Sequence, residues 1–510
     1  MGILYYGDNL EILRNKIEDE SVDLCYIDPP FNSNRNYFQI YNNIGGEVDK
    51  AQAQAFMDTW QWDPSSESAY EQIITNFEGR FTRQSIELIK GMELVLQKKN
   101  PMFAYIVSMT TRLTEIFRVL KPSGAFYLHC DSTASHYLKL VLDSIFCSQG
   151  GDFRNEIIWH YGQRLMHNKY KFNKKHDNIL FYSKSRKHLL NPVVTPWTKE
   201  DIVQARLRKI QIDEDGREYI WDNRSVSKGY EPKKQYIEDI IEKGKAIDDV
   251  WDIPMIVSTS RERMGYPTQK PEALLERIIS ASSNEGDIVL DAYCGCGTTV
   301  AVAQRLKRNW IGIDITYHSI SLILKRMADS FGENILDQMV VDGIPKDVES
   351  AKALATREDD RTRKEFEKWA VLTYTNNRGV INTKKGADKG IDGIVYFASS
   401  QNTTERMIIQ VKSGGANRGT IATLRGDMER EKAQLATLIT LDEPTRSMKD
   451  EAINSGFYHH PIMGKDYERI QIVTIQDLIE KKKRLELPLS FDVIKSAQKK
   501  VDDSQLGLGF

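Results

Sequence analysis

Cysteine is scarce in this 510-residue chain: Cys25, Cys130, Cys147, Cys294 and Cys296 are the five, scattered without a repeating interval. So few thiols exclude a disulfide-stapled scaffold and point to a reducing compartment. Cys294 and Cys296 stand too close together for a conventional zinc half-site, so a structural metal is not expected there. No apolar run is long enough to span a bilayer, and the first residues lack a basic-then-apolar leader. Both absences lead to the expectation of a cytoplasmic protein with no membrane partner. Net charge is nearly absent too, at -2 from 70 basic and 72 acidic residues. A chain-wide basic field that would announce nucleic acid is therefore missing. The length is sufficient for two or three domains with cores of their own.

Charge is instead concentrated locally. Residues 151–210 carry thirteen Lys or Arg against five Asp or Glu. Within them Lys169, Lys171, Lys174 and Lys175 alternate with Tyr170 and Phe172. Cations mixed with rings suit phosphates and unstacked bases; a merely solvated basic face is the plainer reading.

Near the start, Asp28-Pro29-Pro30-Phe31 follows a strand-like run that contains Val22, Leu24, Cys25, Tyr26 and Ile27. A carboxylate at the end of a buried strand can accept a hydrogen bond from an exocyclic amine, and consecutive prolines stiffen the turn so that a backbone carbonyl meets the same nitrogen. The ring of Phe31 can stack on a base that has left a duplex. Far downstream, a strand ending in Asp291 leads into Ala292-Tyr293-Cys294-Gly295-Cys296-Gly297-Thr298-Thr299 and then a helical stretch. Strand, glycine loop and helix let backbone approach a nucleotide-like cofactor. A second strand, from Trp310, ends in Asp314, an acid suited to the two hydroxyls of a ribose. The third glycine of a dinucleotide fingerprint is missing, so a cofactor with a ribose and an amino-acid tail, without phosphate, fits better. Between the blocks lies Tyr266-Pro267-Thr268-Gln269-Lys270-Pro271, opening a helix whose Leu274, Leu275, Ile278 and Ile279 share a face.

Together these motifs resemble the DNA amino-methyltransferases that use S-adenosylmethionine, in the permuted beta-group order, over residues 1 to about 345. The resemblance implies an α/β, Rossmann-like fold with an inserted target-recognition region. It implies that Asp28, Pro29, Pro30 and Phe31 hold and stack the target amine. It also implies that Asp291, Tyr293, Gly295, Gly297 and Thr298 form the cofactor loop, that Asp314 takes the ribose, that Asp8 and Asn9 lie beside the cofactor, and that Thr268 and Lys270 reach its methionine end. Phe31 stands where the family often has Tyr, and Cys296 where it often has Ser. Asp before Pro-Pro goes more often in this family with adenine N6 than with cytosine N4, and the substrate implied is double-stranded DNA.

The run from Leu120 to His129 reads as turn and strand, Tyr137 to Ile145 as an amphipathic helix, and Asn155–His160 and His176–Ser183 as two more strands of a mixed sheet. Residues 186–262 are polar and lack strand rhythm, which makes them the candidate target-recognition region. The segment from Asn36 to Asp63, with Trp60 and Trp62, reads as a lid over a flipped base or as core.

A charged stretch around 349–361 reads as a linker that separates residues 1–348 from a second unit, 362–510. There Gly390-Ile391-Asp392-Gly393 and Gln410-Val411-Lys412 lie on two apolar runs that read as a hairpin. Gln410 and Lys412 share a face, and Asp392 begins the partner strand. The unit resembles the Mrr-type branch of the PD-(D/E)xK restriction-endonuclease-like α/β fold, which implies Glu367, Asp392, Gln410 and Lys412 as catalytic residues and Asp392 and Gln410 as ligands of Mg2+. Gln410 replaces the usual acid, which removes a negative charge and weakens metal affinity. The expectation is a site-specific DNA methyltransferase fused to a metal-dependent endonuclease, in restriction-modification or phage defence, with a second copy or further subunits as partners left open. The alternative is a methyltransferase whose C-terminal unit is a non-cutting, DNA-binding or regulatory module.

Overall fold

A computed structural model of the protein describes residues 1–30, 35–39, 53–58, 62, 64–162, 170, 172–195, 197–206, 209–222, 231–257, 260, 262–266, 268–345, 347–356, 360–376, 379–381, 390–399, 404–461 and 463–487. Nine strands form the larger sheet: β1 (Gly2–Tyr6), β2 (Val22–Ile27), β3 (Leu120–Cys130), β4 (Asp152–His160), β5 (His176–Ser183), β6 (Val250–Asp252), β7 (Ile288–Asp291), β8 (Asn309–Asp314) and β9 (Met339–Asp342). Their order is β6-β4-β5-β3-β2-β7-β8-β1-β9. From β3 to β9 every neighbouring pair is parallel, whereas β5 runs antiparallel to both β3 and β4. The mixed sheet expected from the sequence is present.

Central parallel strands are covered on both faces, so they are largely apolar. On β2, Leu24 and Tyr26 join one core while Cys25 and Ile27 join the other, and all four are buried. One face is covered by α1 (Asn9–Lys16), Arg83–Leu96, α2 (Pro101–Val119) and α3 (Ser135–Ile145). The start of α2 shows why a helix forms there: Asn100 accepts the Met102 N–H at 2.8 Å and Pro101 occupies the first turn, where its missing donor costs nothing. The other face is covered by α4 (Glu272–Ser282), α5 (Thr298–Arg305) and α6 (Tyr317–Phe331). Trp62 stacks on Phe103 with ring centroids 5.5 Å apart, so it is a packing residue; Trp60 lies outside the described residues.

Two expectations are corrected. Residues 186–262 do contain strands: Gln211–Ile212, Glu218–Asp222 and Lys233–Tyr236 form a small antiparallel sheet, and β6 extends the main sheet. A small core of Ile202, Ile220, Ile237 and Ile240 supports that sheet. These apolar residues are too widely spaced to show strand periodicity. The stretch 349–361 is not a bare linker, since Val348–Ala355 is a helix capped reciprocally by Asp347 and Ser350.

The second sheet has the order β10-β11-β12-β13-β14, from β10 (Val380–Ile381), β11 (Gly393–Ala398), β12 (Thr404–Lys412), β13 (Leu435–Thr440) and β14 (Ile470–Thr474). β11 and β12 form the expected antiparallel hairpin, with Gly393 opposite Ile409. α7 (Asp360–Tyr374) buries Phe366, Trp369 and Ala370 in the same continuous core as Tyr317 and Ile320 of α6. The two sheets are therefore joined through packed helices. Among the described residues no helix is long and apolar enough to cross a membrane.

Where β9 ends, the chain passes close to β1. Gly343 has φ +86°, and a Cβ there would sit 2.1 Å from the Tyr6 carbonyl oxygen. Gly343→Ala is expected to destabilise the protein by about 2 kcal/mol or more, read as a lowered thermal unfolding midpoint.

Candidate active site

Parallel strands end on one side of a sheet, so the residues that follow them become neighbours. Asp28 follows β2, Asp291 and Asp314 end β7 and β8, and Asp8 follows β1 at the cap of α1. Asp8 accepts the Leu10 N–H at 2.9 Å through one oxygen and Arg112 Nη2 at 2.9 Å through the other. Arg112 also reaches Asn9 Oδ1 at 2.6 Å, and Asn9 Nδ2 donates to the Ala292 carbonyl at 2.9 Å. The first helix is thus fastened to the glycine loop from a distant part of the chain.

In that loop Gly295 and Gly297 have φ values of +52° and +75°. A Cβ on Gly297 would lie 2.7 Å from Ile323 Cγ1, so glycine is needed for both conformation and space. Asp314 Oδ2 accepts the Gly295 N–H at 2.9 Å, while Oδ1 accepts the Thr316 N–H at 2.9 Å. Burial pushes the Asp314 carboxyl up to about 6 and the Asp291 carboxyl up to about 7. Asp291 Oδ1 accepts the Tyr293 N–H at 3.0 Å, and Thr298 is gripped by buried Arg326 at 3.1 Å. Arg326 also binds Glu272 at 2.8 Å, so this cation is committed to the fold. The donor set fits a ribose-bearing cofactor without phosphate: a carboxylate oxygen can accept a second donor such as a hydroxyl, and the nearby guanidinium is already paired.

Asp28 lies at the same end of the sheet. Its Oδ2 pairs with Lys270 Nζ, which also lies 3.5 Å from the Thr268 carbonyl. Its Oδ1 is buried with no hydrogen-bond partner among the described residues. An unpartnered buried carboxylate oxygen is costly, and it is the feature expected of an acceptor that awaits an N–H donor. Pro29 is buried behind it and Pro30 is half-buried; Phe31 lies outside the described residues.

Sequence reasoning missed the group behind Asp28. His129, fully buried on β3, lies 3.0 Å from the Tyr26 hydroxyl and 3.4 Å from Asp177 Oδ2. Burial, with help from Lys270, lowers the His129 pKa and favours the neutral ring. Burial opposes ionisation of Asp177, but the His129 hydrogen bond and Lys174 outweigh it and hold this carboxyl below the usual range. Lys174 pairs with Asp177 at 2.9 Å and with Asp131 at 3.5 Å, so it is not the free phosphate-binding cation expected. Tyr170 and Phe172 are 95% and 100% exposed, whereas Lys169 and Lys171 lie outside the described residues. The signal that could have exposed His129 is the parallel register of β2 and β3, which pairs Ile27 with Leu128.

In the second sheet, Asp392 and Gln410 are brought together, and one polar atom of each serves the fold, while Gln410 Oε1 is buried with no partner among the described residues. Asp392 Oδ2 accepts the Val411 N–H at 2.7 Å, and Gln410 Nε2 donates to the Gly390 carbonyl at 2.6 Å. Lys412 ends β12 half-buried, and half-buried Glu367 lies on α7, which packs against β12. Among the described residues no group of three or more His, Cys, Asp or Glu could hold a metal ion. The expected Mg2+ site at Asp392 and Gln410 is not supported, because the acid is engaged by backbone and the neutral amide supplies no charge.

Residues 363–480 match the family described as NACHT-associated inactive Restriction Endonuclease 1, so cutting by this unit is likewise unsupported. The type II methyltransferase M.HpaI of Haemophilus parainfluenzae is 31% identical over 219 residues, covering 43% of this chain and 58% of that protein. The DNA adenine methyltransferase YhdJ of Escherichia coli K12 is 26% identical over 324 residues, covering 64% and 82%. Among solved structures, the cytosine-N4-specific PvuII DNA methyltransferase is similar with a TM-score of 0.36 and 15% identity, covering 67% of this chain and 94% of that one. Residues 22–325, more than half of the chain, match the family described as DNA methylase, and the protein belongs to that N6/N4 methyltransferase family.

Proposed function

We propose that residues 1–348 transfer a methyl group from S-adenosylmethionine to the exocyclic amine of a base in double-stranded DNA, with adenine N6 as the favoured target. The observation that carries this reading is the buried, unpartnered Asp28 Oδ1 at the edge of the glycine-loop pocket. S-adenosylmethionine would supply an electrophilic methyl group there. Asp314 would hold its ribose, Gly295 and Gly297 would give it backbone room, and Asp8, Asn9, Thr268 and Lys270 would line its flanks. Asp28 Oδ1 would accept one N–H of the amine and the Pro29 carbonyl the other. That arrangement favours a tetrahedral nitrogen with its lone pair directed away from both acceptors. Lys270, already on Oδ2, would hold Asp28 fixed in direction. The preference for adenine rests on the Asp before Pro-Pro. The small sheet within 186–262 is the candidate reader of sequence.

For residues 362–510 the favoured reading is a non-cutting, DNA-binding or regulatory module within a restriction-modification or defence system. The backbone engagement of Asp392 and the inactive family that it matches support this over the endonuclease.

Three outcomes test these readings. Asp28→Ala is expected to lower methylation of plasmid DNA by about a thousandfold while S-adenosylhomocysteine still binds, as read by modified-base sequencing and calorimetry. Wild-type methylation by that variant would overturn the assignment, and N4-methylcytosine in place of N6-methyladenine would overturn the choice of base. Binding of S-adenosylhomocysteine is expected to be about tenfold weaker at pH 5 than at pH 8, because protonation of Asp314 on descending through about 6 replaces an acceptor by a donor. An affinity that does not change with pH would remove Asp314 from the ribose site. Incubation of the whole chain with DNA and Mg2+ is expected to produce no new ends, and Lys412→Ala no change; Mg2+-dependent ends lost in Lys412→Ala would restore the endonuclease reading.

A further inference from the structure

One buried carboxylate of the C-terminal unit reaches the segments that flank the glycine loop. Glu365 lies on α7 and is only 8% exposed. Its Oε2 accepts the Tyr317 N–H at 3.1 Å and the Tyr6 hydroxyl at 3.4 Å, and its Oε1 accepts Lys368 Nζ at 2.6 Å. Tyr317 is the first residue of α6, whose opening N–H groups have no partner within the helix. Thr316 satisfies the Ser319 N–H and Glu365 satisfies the Tyr317 N–H, placing a carboxylate at the positive end of the helix dipole. The two residues that meet Oε2 both adjoin the candidate site. Tyr6 ends β1 directly before Gly7, Asp8 and Asn9, and Tyr317 follows the Asp314–Thr316 turn. The two segments are also joined to each other by the Gly7 N–H on the Asp314 carbonyl at 3.0 Å.

We propose that Glu365 is a positioning residue for the cofactor, through which the C-terminal unit sets the affinity of the methyltransferase pocket. The inference rests on the methyltransferase reading of that pocket. With Glu365 removed, a buried N–H at the head of α6 loses its acceptor, and the turn that aims Asp314 loses its support. α7 also packs against β12, which ends in Gln410, Val411 and Lys412. A helix packed against both units is suited to pass a change at that strand end to Asp314.

Calorimetric binding of S-adenosylhomocysteine to the full chain tests the proposal. Glu365→Ala is expected to weaken binding about tenfold, and Glu365→Gln, which keeps an acceptor oxygen and loses the charge, about threefold. Thr373→Val removes the 3.3 Å contact between Thr373 Oγ1 and the Tyr317 hydroxyl from the same helix, and is expected to leave affinity within about twofold. Unchanged affinity in Glu365→Ala, or equal weakening in Thr373→Val, overturns the proposal while the methyltransferase reading stands. Wild-type protein that binds no S-adenosylhomocysteine sinks that reading and the inference with it. Should Glu365→Ala fail to fold, Glu365→Gln decides: a KM for S-adenosylmethionine raised about threefold with kcat unchanged supports the proposal, and an unchanged KM overturns it.

Discussion

Four carboxylates, Asp8, Asp28, Asp291 and Asp314, gather at one end of one parallel sheet, and much of the surrounding structure keeps that gathering tolerable. Burial raises the pKa of Asp291 and Asp314, and at Asp291 the neighbouring charges of Asp28 and Asp314 add to the effect. The structure answers each acid with a donor. Asp8 takes Arg112 and a backbone N–H, Asp291 takes the Tyr293 N–H, Asp314 takes the Gly295 and Thr316 N–H groups, and Asp28 takes Lys270. Among the described residues, Asp28 alone of the four is left with a buried oxygen that has no partner.

The donors come from far along the chain. Lys270 reaches Asp28 across 242 residues, and Asn9 reaches the Ala292 carbonyl across 283. Such contacts follow from strand order: β2 lies beside β7, and β1 beside β8, although each pair is widely separated in sequence. Register then places the strand ends level. It also places His129, at the end of β3, behind the acid that ends β2, in a hydrogen-bonded chain with Tyr26 and Asp177. This buried polar chain fixes the wall behind Asp28 and accounts for Lys174, which would otherwise be read as a surface cation.

The C-terminal unit shows the reverse relation between motif and chemistry. Its motif residues are adjacent in space, yet Asp392 is engaged by a backbone N–H and Gln410 carries no charge. What the unit does contribute is a buried carboxylate, Glu365, at the head of the helix that follows Asp314.

The sequence by itself determined the local units: β2 and its Asp-Pro-Pro turn, the glycine loop, the strand that ends in Asp314, and the β11–β12 hairpin. These were legible because each depends on short-range causes, such as apolar runs for buried strands, positive φ at Gly295 and Gly297, and side-chain alternation along a strand. The small sheet within 186–262 and the helix at Val348–Ala355 were not, because their few buried residues are too sparse to set a period. Only the tertiary structure decided which distant groups meet: Lys270 on Asp28, Arg112 on Asp8, His129 on Tyr26 and Asp177, and Glu365 at the head of α6. Hydrogen-bond register and helix packing set those distances, and neither is encoded within the few residues that any one motif spans.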